Sequence, residues 1–204
     1  MIDKKKNTLH KKKMVKTKAI RDKIMKSKNI KKGLIIVHTG NGKGKSSSAF
    51  GMIVRCIAHK IPCAVIQFIK GSWQTGEKKL LKEKFSNECI FIISGDGFTW
   101  DTQDRETDIK SANKGWEKAK ELIKDKNIKF VLLDEINIAL KYKYLNINDV
   151  VTFLQTEKPY STHVVLTGRS AKEELIKISD LTTEMKLIKH PFKQGVKAQP
   201  GIEF

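Results

Sequence analysis

The run Leu34-Ile35-Ile36-Val37-His38-Thr39-Gly40-Asn41-Gly42-Lys43-Gly44-Lys45-Ser46 passes from a short apolar stretch into a glycine-rich turn closed by Lys and Ser. Beyond it, Ala49, Phe50, Ile53, Val54 and Ile57 recur at helical spacing. Strand, glycine turn and helix start, in that order, are what a phosphate-binding P-loop requires. Glycines let successive backbone N–H groups curl around phosphate oxygens, a lysine adds a point charge, and a Ser hydroxyl at the helix's positive end can ligate Mg2+. The stretch therefore predicts a nucleoside triphosphate site. Thr39 stands where the general Gly-x-x-x-x-Gly-Lys-Ser/Thr pattern has its first glycine. The closing Gly44-Lys45-Ser46 is intact, and Gly40, Gly42 and Lys43 make the loop unusually glycine-rich and basic.

Strand and helix patterns alternate outward from this loop. Residues 63–69 read as a buried strand, with a polar, glycine-flanked loop over 70–76 at its carboxyl end and a short helix over 77–85. A second apolar strand over 89–93 leads into Ser94-Gly95-Asp96-Gly97-Phe98-Thr99-Trp100-Asp101. Two aromatics at i and i+2 in such a loop are either a plug over the core or a platform for a flat ligand. Ile109, Ala112, Trp116, Ala119 and Ile123 give Arg105–Lys124 an amphipathic helical pattern that puts Trp116 in the core. Phe130-Val131-Leu132-Leu133-Asp134-Glu135 is an apolar run ending in two carboxylates, as a Walker B strand does, where a carboxylate can hold Mg2+ opposite the loop hydroxyl. Ile147–Thr156 reads as a helix capped by Asn146 or Asn148, His163–Thr167 as a strand, and Gly168-Arg169 puts a cation at that strand's end. Glu173–Ile178 reads as a short helix and 184–188 as an edge strand, and the tail from Lys189 has no periodicity. The alternation predicts an α/β fold with a mostly parallel sheet covered by helices on both faces. Right-handed crossovers would then gather Lys45, Trp73, Phe98, Asp134 and Arg169 at one sheet edge.

The 204 residues carry a net charge of +19, of which residues 1–33 hold +12. This lysine-rich arm, 1–32, is expected to be disordered by like-charge repulsion unless it docks, whether over an anionic ligand site or on nucleic acid or a membrane. A single domain is expected over 33–204. Cys56, Cys63 and Cys89 lie in apolar segments without C-x-x-C spacing and read as reduced core residues of a cytosolic protein. The histidines form no zinc-ligand cluster, and neither a secretory signal nor a membrane span is evident.

Six motifs together carry a resemblance. Gly40-Asn41-Gly42-Lys43-Gly44-Lys45-Ser46, Gly97-Phe98-Thr99-Trp100, Val131-Leu132-Leu133-Asp134-Glu135 with Ile138-Ala139-Leu140, Thr167-Gly168-Arg169, Lys189-His190-Pro191-Phe192 and the stretch from Gly195 to Phe204 resemble, in order and spacing, the P-loop ATP:corrinoid adenosyltransferases of cobalamin biosynthesis. The resemblance covers about residues 33–204. It implies a RecA-like P-loop fold, ATP and a corrinoid as substrates, Mg2+, a homodimer, an electron-donating flavoprotein and a cytoplasmic location. It implies that Gly40, Asn41, Gly42, Lys43, Gly44, Lys45, Ser46 and Ser47 cradle the polyphosphate, with Arg55 and Arg169 contacting it. Ser46 stands where the family usually has Thr. Ser46 and Glu135 would hold the metal, with Asp134 the alternative. Phe98 and Trp100 would displace the lower axial ligand of cobalt. The rival reading of loop, carboxylates and basic arm is a RecA-like ATPase that binds nucleic acid through the arm.

Overall fold

The computed structural model describes residues 4–69, 75–94 and 104–203. The chain divides into two compact units, Met1–Lys31 and Lys32–Phe204. The first contains one long helix, α1 (Lys4–Lys26), where charge repulsion predicts disorder. Lysine, methionine, alanine and leucine are all good helix formers, and Lys23 and Lys26 in the last turn complement the negative end of the helix dipole.

The second unit is built on six strands, β1 (Ile35–Thr39), β2 (Cys63–Phe68), β3 (Cys89–Ser94), β4 (Phe130–Asp134), β5 (His163–Thr167) and β6 (Leu181–Glu184). Their order is β3-β2-β4-β5-β1-β6, and every ladder is parallel. Between them run α2 (Lys45–Ala58), α3 (Gly76–Lys84), α4 (Arg105–Lys124), α5 (Ile136–Lys141), α6 (Ile147–Thr156) and α7 (Glu173–Ile178). The inner strands β2, β4, β5 and β1 read as largely apolar runs because both their faces are covered. Ile35, Val37, Ile66, Leu133 and Leu166 pack with Trp116, Leu140, Phe153 and Leu175 of α4–α7. The alternate residues Ile36, Val65, Leu132 and Val165 pack with Phe50, Ile53 and Leu81 of α2 and α3. Each fully buried Ile or Leu contributes about 1.5–3 kcal/mol. Trp116 meets Phe153 edge-on at 5.3 Å, in the core as its spacing predicts. The three cysteines are free and buried. Burial, with Cys63 beside it, pushes the Cys56 thiol up to about 11, so it stays protonated.

The edge strand differs from expectation. Residues 181–184, not 184–188, pair with β1. Only one more ladder-like bond follows, from Met185 N to Thr39 O at 2.8 Å, and then the Met185 carbonyl turns to the glycine loop. Apolarity alone favours the later residues, but an edge strand with one exposed face tolerates Thr and Glu.

Three neighbouring strands end alike. Ile69, Glu135 and Gly168, the residues after β2, β4 and β5, have φ of +73°, +63° and +126°. At Glu135 and Gly168 this bends the chain sharply across the carboxyl edge of the sheet. Because β5 lies between β1 and β4, Thr167-Gly168-Arg169 separates the glycine loop from the two carboxylates.

Candidate active site

The loop after β1 owes its glycines partly to a neighbour that local sequence does not reveal. A Cβ on Gly40, at φ +95°, would lie 2.4 Å from the Met185 carbonyl oxygen, and one on Gly42 2.7 Å from it. The Gly42 N–H donates to the same oxygen at 2.6 Å, so this amide is committed within the protein. Gly44, at φ +104°, then turns the chain into α2. Buried Lys45 folds back, its Nζ donating to the Gly42 carbonyl at 2.5 Å. The start of α2 is fixed to β1 by His38, whose Nδ1 lies 2.9 Å from Ser48 Oγ and 3.2 Å from the Lys45 carbonyl. Neither His38 nor Ser48 stands out in the sequence as a site residue.

The two carboxylates after β4 have different surroundings. Asp134 is fully buried, with Oδ1 accepting from Thr167 Oγ1 at 2.7 Å and Oδ2 from Gln67 Nε2 at 2.9 Å. Glu135 is partly exposed and opens α5 from a left-handed backbone, without capping that helix through its side chain. Its N–H donates to Thr167 Oγ1 at 2.9 Å. Asn137, fully buried in the first turn of α5, donates to the Gly168 carbonyl at 3.1 Å. Gly168 permits this approach, since a Cβ there would lie 2.9 Å from Asn137 Cβ and 3.1 Å from Glu135 Oε2.

A cavity of about 420 Å³ opens where these parts converge. Gly42, Lys43, Gly44, Lys45, Ser46, Ser47, Glu135 and Arg169 all line it. Gly40 and Asn41 support the loop without lining the cavity, and Asp134 lies beneath the site. Arg55 is not brought in. It is exposed in the last turn of α2, ten residues beyond Lys45 and about 15 Å along the helix axis. Trp73, Phe98 and Trp100 lie outside the described residues. The cavity also takes in Thr75 and Glu77, which carry no local sequence signal, and, from the aperiodic tail, Lys189, His190 and Glu203, which lie within two of the motifs that carry the resemblance. Glu203 forms an ion pair with Lys43. A helix N-terminus, three lysines and an arginine facing three carboxylates can accept a polyanion together with a cation. Among the described residues no three His, Cys, Asp or Glu side chains group to hold a metal, and no helix is long and apolar enough to cross a membrane.

Residues 31–204 match the family model described as ATP:corrinoid adenosyltransferase BtuR/CobO/CobP. The chain is 61% identical over 195 residues to the corrinoid adenosyltransferase of Sinorhizobium sp, covering 96% of this chain and 91% of that protein. It is 45% identical over 199 residues to the corrinoid adenosyltransferase of Pseudomonas aeruginosa, with 98% and 97% covered. With the corrinoid adenosyltransferase CobA of Salmonella typhimurium it shares 38% identity over 173 residues, 85% and 86% of the two chains. The two longer matches run into the lysine-rich arm, which the motif resemblance leaves out.

Proposed function

The chain belongs to the ATP:corrinoid adenosyltransferase family, and we propose that its cavity positions ATP for attack at the ribose C5′ by a Co(I) corrinoid. The observation that carries this reading is the convergence of the glycine loop, Glu135 and Arg169 on one cavity. The cobalt electron pair forms the Co–C5′ bond while the C5′–O bond breaks, its pair leaving with tripolyphosphate. Cobalt passes formally from Co(I) to Co(III). The nucleophile belongs to the substrate, so the protein's work is orientation and charge stabilisation.

Lys43, Lys45 and Arg169 hold the polyphosphate and offset the charge that builds on it as it departs, with the first turn of α2, Ser46 and Ser47 included, presenting its positive end. Gly40, Asn41, Gly42 and Gly44 shape the loop. Arg55 is left out of this set by its distance. Mg2+ suits the site, because Ser46 and Glu135 offer hard oxygens on one cavity, and this ion commonly takes one or two protein oxygens, phosphate and water. Bound there, it would neutralise part of the triphosphate charge. Buried Asp134, already accepting from Thr167 and Gln67, fits a supporting role better than a ligand's.

Phe98 and Trp100 complete the reading as the pair that lies under the corrin and excludes its lower axial ligand. Removing that donor lowers the orbital that receives an electron, which makes Co(II) easier to reduce. A flavoprotein electron donor, a homodimer and a cytoplasmic location belong to the same reading. Phe98→Ala and Trp100→Ala are expected to slow turnover of a Co(II) corrinoid under mild reduction far more than turnover of pre-reduced Co(I). Equal losses with both substrates would contradict the axial-ligand role.

A further inference from the structure

Thr167 joins the Asp134 carboxylate to the Glu135 backbone through a single hydroxyl. That hydroxyl is fully buried, donates to Asp134 Oδ1 at 2.7 Å and accepts from the Glu135 N–H at 2.9 Å. The Glu135 backbone needs such a restraint. At φ +63° it holds a conformation that L-residues with a Cβ adopt only at a cost, and it persists where the surroundings over-determine it. The restraint comes from a neighbouring strand, since β5 pairs with β4 and ends beside Asp134. Asp134 is in turn fixed from the other side by Gln67 of β2, also fully buried. Gln67 thus bonds Asp134, which bonds Thr167, which bonds the Glu135 amide, so three adjacent strands converge on one peptide unit. The next residue, Gly168, lies where a Cβ would touch Glu135 Oε2 at 3.1 Å, so the carboxylate runs alongside the turn that Thr167 begins.

We infer that Thr167 is a positioning residue for the metal–nucleotide complex, with Asp134 as its anchor. It holds Glu135 in the left-handed backbone that turns the carboxylate into the cavity. This rests on the reading of Glu135 as a metal ligand. It assigns Asp134, which a Walker B pattern would nominate for the metal, to setting its neighbour's geometry. Hydrogen-bonding partners of ligating side chains commonly matter 10–100-fold for metal affinity.

The test uses the full-length protein with ATP and no corrinoid, so that nothing turns over. Mn2+ is the probe, and its dissociation constant from the protein–ATP complex is read from the free-ion EPR signal. Thr167→Val, which keeps the shape and loses the hydroxyl, is expected to raise that constant about tenfold. Thr167→Ser, which restores the hydroxyl, should remain within about twofold of the parent protein. Glu135→Gln is measured alongside and should also weaken Mn2+. If Glu135→Gln weakens Mn2+ while Thr167→Val leaves it unchanged, the positioning role is wrong and the ligand reading stands. If Glu135→Gln has no effect, both fall. Should the valine variant fail to fold, Thr167→Ala removes the hydroxyl without adding bulk, and the serine comparison still separates hydroxyl from packing.

Discussion

Gly168 is held at φ +126° with Asn137 and Glu135 packed against the face where a Cβ would stand. Gly168→Ala is therefore expected to lower unfolding free energy by about 1–3 kcal/mol, read as a fall in the denaturant midpoint, and an unchanged midpoint would contradict the packing described. Lys45 carries a different kind of consequence. Lys45→Met removes a buried charge from the cavity and should raise the half-saturating ATP concentration about 10–100-fold, the range for losing a charged hydrogen bond. Initial-rate kinetics at fixed corrinoid would measure it. Lys45, Ser46, Glu135 and Arg169 are legible in the sequence because each stands at or just after a strand or turn whose pattern announces it. Gln67, Thr167 and Asn137 are not, because they look like ordinary strand or helix residues and acquire their partners only through the register of β2, β4 and β5. Gly40 and Gly42 read as a phosphate cradle, and the approach of Met185 that also requires them is fixed by a strand about 145 residues away.

The two ends of the sheet divide structural from chemical work. At the amino end of β5, His163 Nδ1 accepts from the Leu34 N–H at 3.2 Å. Burial, and then the nearby Lys158, hold its pKa below the usual histidine value. Protonation would put a hydrogen where that acceptor is needed. The stabilisation is complete above the unfolded pKa of about 6.5 and is lost as pH falls through the lower folded value. Thermal midpoints measured from pH 7.5 to 5.5 should fall more in the parent protein than in His163→Asn, which keeps an acceptor and does not titrate; equal falls would contradict this role. At the carboxyl end, the turn that carries Glu203 brings a carboxylate to Lys43. Glu203→Gln should tighten ATP up to about fivefold, matching the ~0.2–1 kcal/mol of an exposed ion pair, with calorimetric titration as the measurement and weaker binding as the contrary result. Beyond its two motifs the tail offers no secondary-structure signal, because a short 3₁₀ turn, Pro191–Gln194, and isolated turns leave no period to read. Hydropathy places the edge strand too late in the chain, because its pairing with β1 sets its limits.

Over the whole molecule the charge is uneven. Met1–Lys31 carries +11 of the net +19 in a unit separate from the α/β body. Alternating strand and helix patterns made the body's layers and parallel sheet readable, since apolar runs bounded by glycine and amphipathic spans leave few arrangements. The arm's helix was not readable, because repulsion among lysines and their high helix propensity oppose each other and composition does not say which prevails. A variant beginning at Lys32 should keep its thermal midpoint within about 2 °C, a shift worth about 0.5–1 kcal/mol at this size; a larger fall would mean that arm and body unfold together. What leaves the cavity distinguishes adenosyl transfer from hydrolysis. The protein is supplied with MgATP and a chemically reduced Co(I) corrinoid in the dark, and both products are identified. A light-sensitive alkylcobalt corrinoid and tripolyphosphate are expected in equal amounts. ADP and phosphate with the corrinoid unchanged would contradict it.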